Sequence, residues 1–219
     1  MPASETRPLI LYCGGTGFTR SRFGEAVVRA LLPYGDVVVW DYPGRGDSSG
    51  RMDLMSGPLT AEAVVDDLAA WVEREASTGK RADRPVLVWG HSRGGFVGAQ
   101  LATRTDAVDA LVLETTAPDP LGALESFGTV PPMVRRFAPL LDRYNIPRTL
   151  ERFDGDTLVF GAGRDRVLPV RLSRELAGEI DGATYIEIAD ATHFDTLARP
   201  ETGRALRTLL TGLGVETRP

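Results

Sequence analysis

Six short apolar segments, alternating with stretches of helical spacing, constrain the fold of this chain more than any other feature. Each segment has four to six residues and is rich in β-branched, aliphatic or aromatic side chains. Segments of this kind indicate strands that are buried on both faces, and the helical stretches between them make the connections parallel. The sequence therefore predicts an α/β fold with a mostly parallel central sheet of about six strands and helices on both faces. The predicted strands are Leu9–Tyr12, Asp36–Trp40, Val86–Trp89, Val108–Leu113, Asp156–Phe160 and Ala183–Ile188.

The length of 219 residues predicts a single domain over residues 1–219. Residues 118–153 interrupt the alternation of strands and helices. They contain six prolines and no strand pattern, and short helices are predicted around Leu121–Phe127 and Pro132–Asp142. We therefore expect a small helical insertion in this segment.

The composition excludes several classes of protein. The net charge of −5 argues against non-specific binding to nucleic acid. The single cysteine, Cys13, excludes an intrachain disulfide and a cysteine-rich zinc site. No apolar run is long enough to span a membrane, and the first residues lack the apolar core of a signal peptide. We therefore expect a cytoplasmic protein without membrane or nucleic-acid partners, and the oligomeric state is left open.

The stretch Gly90-His-Ser-Arg-Gly94 follows the third predicted strand and precedes a run of small, helix-compatible residues. Such a strand–turn–helix forces the residue at its apex into a strained conformation and holds its side chain out at the edge of the sheet. The flanking glycines are needed because a Cβ there would collide with neighbouring backbone. The motif predicts an activated Ser92 at a helix N-terminus. An ordinary glycine-rich turn with a solvated serine remains the alternative.

A base and an acid for Ser92 follow later in the chain. Asp165 and His193 each come after a predicted strand, so all three residues fall at the carboxyl edge of the sheet, where ligands bind in such folds. The order Ser, Asp, His is that of one hydrolase fold, in which histidine accepts the serine proton and the carboxylate orients the histidine. Arg164 and Arg166 leave open a purely structural ion pair for Asp165. The alternative acids are Glu114, Asp119, Asp190 and Asp195.

Acyl transfer also needs two N–H donors for the developing oxyanion. The backbone amide of Arg93 is the first candidate, and the glycine-rich turn after the first strand supplies either Gly15 or Thr16 as the second. The candidates for substrate contacts lie at the same edge of the sheet and are Phe18, Trp40 and Thr116. We interpret His91 as a packing residue or as one that supports the catalytic side chains without reacting, and Cys13 as a small buried residue. The sequence predicts no metal site.

These features resemble the α/β-hydrolase superfamily over nearly the whole chain. The resemblance rests on the Ser92 turn and on three loops: Asp41-Tyr-Pro-Gly-Arg-Gly-Asp-Ser48, Gly163-Arg-Asp165 with Val167 and Pro169, and Ala191-Thr-His-Phe194 with Pro200. It implies Ser92 as nucleophile, His193 as base, Asp165 as acid, and residues 118–153 as a lid. The chain departs from the family in two ways. Cys13-Gly-Gly replaces the usual His-Gly, and two initial strands of the family are missing, which predicts a trimmed sheet.

Three functions are compatible with these residues. The first is a serine hydrolase that cleaves a small-molecule carboxylic ester or thioester through an acyl-enzyme, with no cofactor. The second is an acyltransferase or cyclising thioesterase of a biosynthetic pathway, and the third is a non-catalytic ligand-binding protein of the same fold. Residues 118–153 carry five arginines and four acidic residues, which permits an anionic, carrier-bound substrate. A solvated helix face is the simpler interpretation of those arginines.

Overall fold

A six-stranded, fully parallel sheet forms the centre of the protein in the computed structural model, which describes residues 7–50, 57–77, 84–136 and 138–216. The predicted fold class is confirmed, and the strand bounds shift by one or two residues. The strands are β1 Leu9–Cys13, β2 Asp36–Val39, β3 Val86–His91, β4 Ala110–Glu114, β5 Asp156–Ala162 and β6 Thr184–Ile188.

The order of the strands in the sheet is β2-β1-β3-β4-β5-β6. The chain therefore starts one strand in from an edge, forms that edge with β2, and returns past β1 to build the rest of the sheet on the other side. The carboxyl ends of β1 and β3 are neighbours at this reversal, with Cys13 paired to Gly90. Such a switch point opens a crevice where ligands bind, and both the Gly14–Gly15 turn and Ser92 lie there.

Helices cover both faces of the sheet. On one face, α1 and α9 pack against a cluster centred on Trp89 and Phe160. On the other face, α2, α3 and α8 pack against Leu11, Val88 and Leu111. The strands read as continuous apolar runs because side chains from both faces are buried. The bounds are α1 Glu25–Leu31, α2 Gly57–Ser77, α3 Gly94–Ala102, α8 Val170–Gly178 and α9 Pro200–Gly212.

Residues 118–153, which we call the cap segment, contain short helices and, in the part that the structure describes, no strand. The sequence predicted two helices here, but the segment also contains α7, which covers Ile146–Leu150. The side chain of Asn145 caps this helix by accepting the Arg148 N–H at 2.9 Å, and Pro147 lies in its first turn. Proline is tolerated there because that N–H has no partner within the helix. The other elements are α4 Pro120–Glu125, α5 Pro132–Arg136, α6 Ala138–Leu141 and a 3₁₀ turn, Asp142–Tyr144.

Candidate active site

Ser92 occupies the sharp turn between β3 and α3. Its φ of 52° lies in the left-handed region, which is uncommon for a residue with a side chain and is typical of strained functional positions. Its N–H donates to the carbonyl of Glu114 at 2.8 Å, which fixes the turn to the neighbouring strand. A Cβ at Gly94 would lie 1.9 Å from the carbonyl oxygen of Cys13, and one at Gly90 would lie 2.6 Å from the Cα of Gly95. The two flanking positions of the motif therefore accept only glycine.

Asp165 and His193 are in direct contact although they lie 28 positions apart in the sequence. The Nδ1 atom of His193 lies 2.7 Å from Oδ2 of Asp165, and both side chains are almost completely buried. The other carboxylate oxygen of Asp165 accepts the N–H groups of Val167 and Leu168 at 2.7 and 2.8 Å. These two bonds fix the carboxylate, so that it can hold the imidazole with a proton on Nδ1 and a lone pair on Nε2.

The backbone of His193 is held as well. The ring of His91 lies 5.0 Å from that of His193, and its Nε2 is 2.9 Å from the carbonyl oxygen of His193. The same carbonyl accepts the hydroxyl of Thr115 at 3.5 Å. Thr115, with a φ of 46°, is the second non-glycine residue in the left-handed region among the described residues. His91 therefore anchors the loop that carries His193, which is the supporting role among the two roles that the sequence left open.

The alternative acids are engaged elsewhere. Asp119 caps α4 by accepting the N–H of Gly122 at 2.8 Å, and Asp190 and Asp195 both contact Arg199. Arg164 and Arg166 are the sequence neighbours that could have paired with Asp165. Both are exposed, and neither forms an ion pair with Asp165.

Glu114, the last alternative acid, is buried at the end of β4 and binds the indole N–H of Trp89 at 2.7 Å. Its second oxygen accepts the hydroxyl of Thr196, in the short 3₁₀ turn three residues after His193. Glu114 therefore ties the histidine loop to the sheet. The sequence predicted Glu114 only as a possible catalytic acid, because no residue near it in the sequence indicates its partners.

The turn after β1 lies directly against the nucleophile. A Cβ on Gly15 would come within 3.1 Å of the Cβ of Ser92 and 2.9 Å of Nδ1 of His91. Gly15 is buried, whereas Thr16 is exposed and lines the cavity described below. Both predicted oxyanion candidates of this turn are thus beside the site. Arg93, the third, immediately precedes α3, so its amide lies at the helix N-terminus.

A cavity of about 620 Å³, a volume typical of small-molecule sites, opens above Ser92 and His193. The cap segment forms one wall of it, and most of the lining is apolar. The lining residues beyond Ser92 and His193 are Thr16, Tyr42, Pro43, Val64, His91, Arg93, Phe96, Val97, Pro120, Ala123, Leu124, Phe127, Leu141, Tyr144, Val167, Leu168 and Phe194.

The three residues predicted to contact substrate do not line this cavity. Phe18 is buried against Tyr12, with the ring centres 5.4 Å apart, and Trp40 packs on the opposite face of the sheet. Thr116 is buried beneath the turn, where its hydroxyl would touch a Cβ placed on Gly95. All three lie at or just after the end of a strand, but the direction of each side chain is set by packing. Two lining residues, Tyr42 and Phe194, were not predicted from the sequence. They directly follow Asp41 and His193.

Cys13 is fully buried, and this burial raises the pKa of its thiol. The thiolate is therefore disfavoured. Among the described residues, no three His, Cys, Asp or Glu side chains converge as metal ligands, and no helix is both long and apolar enough to cross a membrane.

Comparison with known protein families identifies the family of this chain. Residues 4–150 match the family described as serine aminopeptidase, S33, whose members are hydrolases. The chain belongs to this family. It is thereby a member of the α/β-hydrolase superfamily, as the resemblance in the sequence implied.

Two curated relatives are lysophosphatidylserine lipases called ABHD12. The protein of Danio rerio is 28% identical over 192 residues, which cover 78% of this chain and 47% of the relative. The protein of Bos taurus is 34% identical over 119 residues, covering 51% and 27%. The chain thus spans less than half the length of either relative.

Solved structures show the same fold at low sequence identity. The esterase Pf2001 of Pyrococcus furiosus aligns with a TM-score of 0.69 and 16% identity, over 94% of this chain and 83% of that one. Est1E of Butyrivibrio proteoclasticus, solved with ferulic acid bound, aligns with a TM-score of 0.73 and 15% identity, over 98% and 92%.

Proposed function

We propose that this protein is a serine hydrolase that cleaves a carboxylic ester or thioester of a small acyl substrate through an acyl-enzyme on Ser92. The observation that carries the proposal is the contact of buried Asp165 with His193, which lines the same cavity as Ser92 on its strained turn. The family match and the lipase names of the curated relatives support hydrolysis of an ester.

In the proposed mechanism, Oγ of Ser92 attacks the acyl carbonyl while Nε2 of His193 accepts the hydroxyl proton. Asp165 keeps the other ring proton on Nδ1 and stabilises the imidazolium that forms. The carbonyl oxygen becomes an oxyanion, which accepts hydrogen bonds from the amide of Arg93 and from an amide of the Gly15–Thr16 turn.

Collapse of this tetrahedral intermediate releases the alcohol or thiol, which takes the proton from His193. Water, activated by the same histidine, then attacks the acyl-enzyme and releases the carboxylic acid. The apolar wall that the cap segment contributes accommodates the acyl group, and we propose that this segment acts as a lid that limits the access of water.

The test is the intact mass of the protein after treatment with a fluorophosphonate. We expect one adduct on the wild-type protein, none on Ser92→Ala, and one on the control Ser21→Ala, which removes an exposed serine outside the cavity lining. An adduct on Ser92→Ala, or a folded wild-type protein that is never labelled, would contradict the proposal. Matched esters and thioesters, assayed with and without hydroxylamine as a competing acceptor, then separate hydrolysis from acyl transfer.

A further inference from the structure

A second cavity, of about 780 Å³, lies between α1 and α9 on the face of the sheet that these two helices cover. Among the residues that the structure describes, none lines both this cavity and the one above Ser92. Small and aliphatic side chains line part of it, because α1 contributes Ala26 and Ala30 and the 3₁₀ turn before α9 contributes Leu197. Its volume lies in the usual range for small-molecule sites. We call this cavity the α1–α9 groove.

Arginines dominate the charged lining of the α1–α9 groove. The described lining contains one acidic residue, Glu25. The basic lining residues are Arg22, Arg29, Arg199, Arg204 and Arg207. The chain as a whole has a net charge of −5, so positive charge is concentrated here against the overall balance. Such a concentration in a concave surface attracts anions.

Two of these five arginines are not neutralised. Arg22 and Arg207 form no ion pair with any residue that the structure describes, whereas each of the other three contacts a carboxylate. Those pairs are Arg29 with Glu25, Arg204 with Glu201, and Arg199 with both Asp190 and Asp195. The groove therefore retains an excess of two positive charges, which matches a ligand group with two negative charges.

Aromatic rings hold both of the arginines that lack an ion pair. The guanidinium carbon of Arg22 lies 5.0 Å from the centre of the Phe23 ring, and that of Arg207 lies 5.9 Å from the centre of the Tyr34 ring. Arg207 also donates through Nη1 to the Tyr34 hydroxyl at 3.2 Å. Stacking occupies one face of a guanidinium and leaves N–H donors at its edge for bidentate contact with an oxyanion. Because the side chains are held in advance, less conformational entropy is lost on binding.

A glycine in α9 makes the position of Tyr34 possible. A Cβ on Gly203 would lie 2.5 Å from the Tyr34 hydroxyl, so any larger residue would displace the ring. Glycine is unfavourable inside a helix, and the close approach of Tyr34 is the local reason for it here. The sequence of α9 thus accommodates the ring that holds Arg207 at the groove.

We propose that the α1–α9 groove is a second ligand site, which binds a phosphate monoester with an apolar body. Arg22 and Arg207 contact the phosphate, which carries close to two negative charges at neutral pH. The apolar body lies against Ala26 and Ala30. The site is separate from the cavity above Ser92, so this inference goes beyond the proposed function and does not depend on it.

The test is isothermal titration calorimetry on the full chain at low salt, with four probes. The probes 1-naphthyl phosphate, 1-naphthyl sulfate and 1-naphthol share one body and differ in charge, whereas inorganic phosphate lacks the body. Arg22→Met and Arg207→Met each remove a charge and keep a long side chain. Ala26→Trp fills the groove from an exposed helix position without changing any charge. Arg45→Met is the matched control, because Arg45 is exposed, forms no ion pair with a described residue and lies outside the groove lining.

We expect 1-naphthyl phosphate to bind at one site, at least about fivefold more tightly than 1-naphthyl sulfate, and 1-naphthol to bind more weakly still. Arg22→Met and Arg207→Met should each raise Kd by about 5- to 20-fold. Ala26→Trp should remove detectable binding, and Arg45→Met should leave Kd unchanged. Added salt should raise Kd. Weaker binding of inorganic phosphate assigns the apolar body to the groove, whereas equal affinity overturns that part of the proposal.

Equal Kd values for the three naphthyl probes would overturn the inference. So would equal Kd values for the wild type and for arginine variants that urea unfolding shows to be folded. Binding that Ala26→Trp leaves unchanged would place the probe elsewhere on the protein and would also contradict it. None of these measurements requires turnover, so a failure of Ser92 to react with the fluorophosphonate would count against the proposed function alone.

Discussion

Replacement of Asp165 by asparagine is the most direct test of how the site is organised. One carboxylate oxygen of Asp165 accepts the N–H groups of Val167 and Leu168, and the other contacts Nδ1 of His193. An asparagine has only one oxygen, which must remain on the two N–H groups. Its NH₂ group therefore faces His193 and donates to Nδ1. The imidazole then carries its proton on Nε2, so the atom that should accept the serine proton is already occupied.

The expected loss of activity follows from this reversal of the hydrogen bond to Nδ1. The variant loses both the correct tautomer and the negative charge that stabilises the imidazolium, and in a serine hydrolase of another fold the same substitution costs about 10⁴ in kcat. We expect kcat/KM for an ester to fall by about 10³- to 10⁴-fold, which corresponds to about 4–5.5 kcal/mol of transition-state stabilisation. The free energy of unfolding should change by no more than about 1–2 kcal/mol, because the asparagine oxygen preserves the two backbone hydrogen bonds.

The assay is ester hydrolysis together with the rate of fluorophosphonate labelling, and urea unfolding monitors the fold. Asp190→Asn is the matched control. It removes the charge of another aspartate that follows a strand, one whose partner is the surface residue Arg199, and it should retain wild-type activity. A folded Asp165→Asn protein whose kcat/KM stays within about tenfold of the wild type would refute the assignment of Asp165. Loss of activity in Asp190→Asn alone would transfer the role to that residue.

Three further predictions concern the scaffold of the site. Gly94→Ala should prevent stable folding or lower the free energy of unfolding by several kcal/mol, roughly the range of severe single substitutions, because its Cβ would lie 1.9 Å from a carbonyl oxygen. Urea unfolding measures this change. The control Gly178→Ala, whose added Cβ would have no neighbouring atom within 4 Å, should be neutral or stabilising. Glu114→Gln keeps one oxygen for the Trp89 N–H and places an NH₂ group against the Thr196 hydroxyl, which must then accept a hydrogen bond and loses the carboxylate that accepted its own proton. We therefore expect about 1–3 kcal/mol of destabilisation and a fall in kcat rather than a rise in KM. Steady-state kinetics at wild-type values would contradict this. For Asp41, burial opposes ionisation, but N–H groups of Arg20 and Asp47 and the Arg20 side chain lower the pKa of the carboxyl. Its stabilisation is therefore present above the ordinary aspartate pKa and lost as the pH falls through the lowered value. Asp41→Asn should lower stability most near neutral pH, and the difference from the wild type, measured by unfolding at decreasing pH, should shrink once the pH falls below the ordinary aspartate pKa.

Short-range patterns were sufficient for much of this protein. The continuous apolar strands predict a buried parallel sheet, because both faces of each strand must be covered. Glycines at positions 90 and 94 around Ser92 follow from the space that a tight strand–turn–helix leaves. The loops that carry Asp165 and His193 could be placed at one edge of the sheet, since all strands of a parallel sheet end on the same side.

Tertiary structure decided which side chains enter the cavity and which polar groups meet. Phe18, Trp40 and Thr116 follow the rule for strand ends, but packing buries Phe18 and Thr116 and lays the half-buried Trp40 against the core. Nothing local in the sequence pairs Glu114 with Thr196, or the ring of His91 with the backbone of His193, because these contacts join segments that are 82 and 102 residues apart. The sequence by itself therefore determined the fold class and predicted Ser92, Asp165 and His193, because the periodicity of an element and the steric needs of a turn are local properties. The cavity wall and the bonds that hold the histidine loop depend on how distant elements pack, and only the folded chain specifies them.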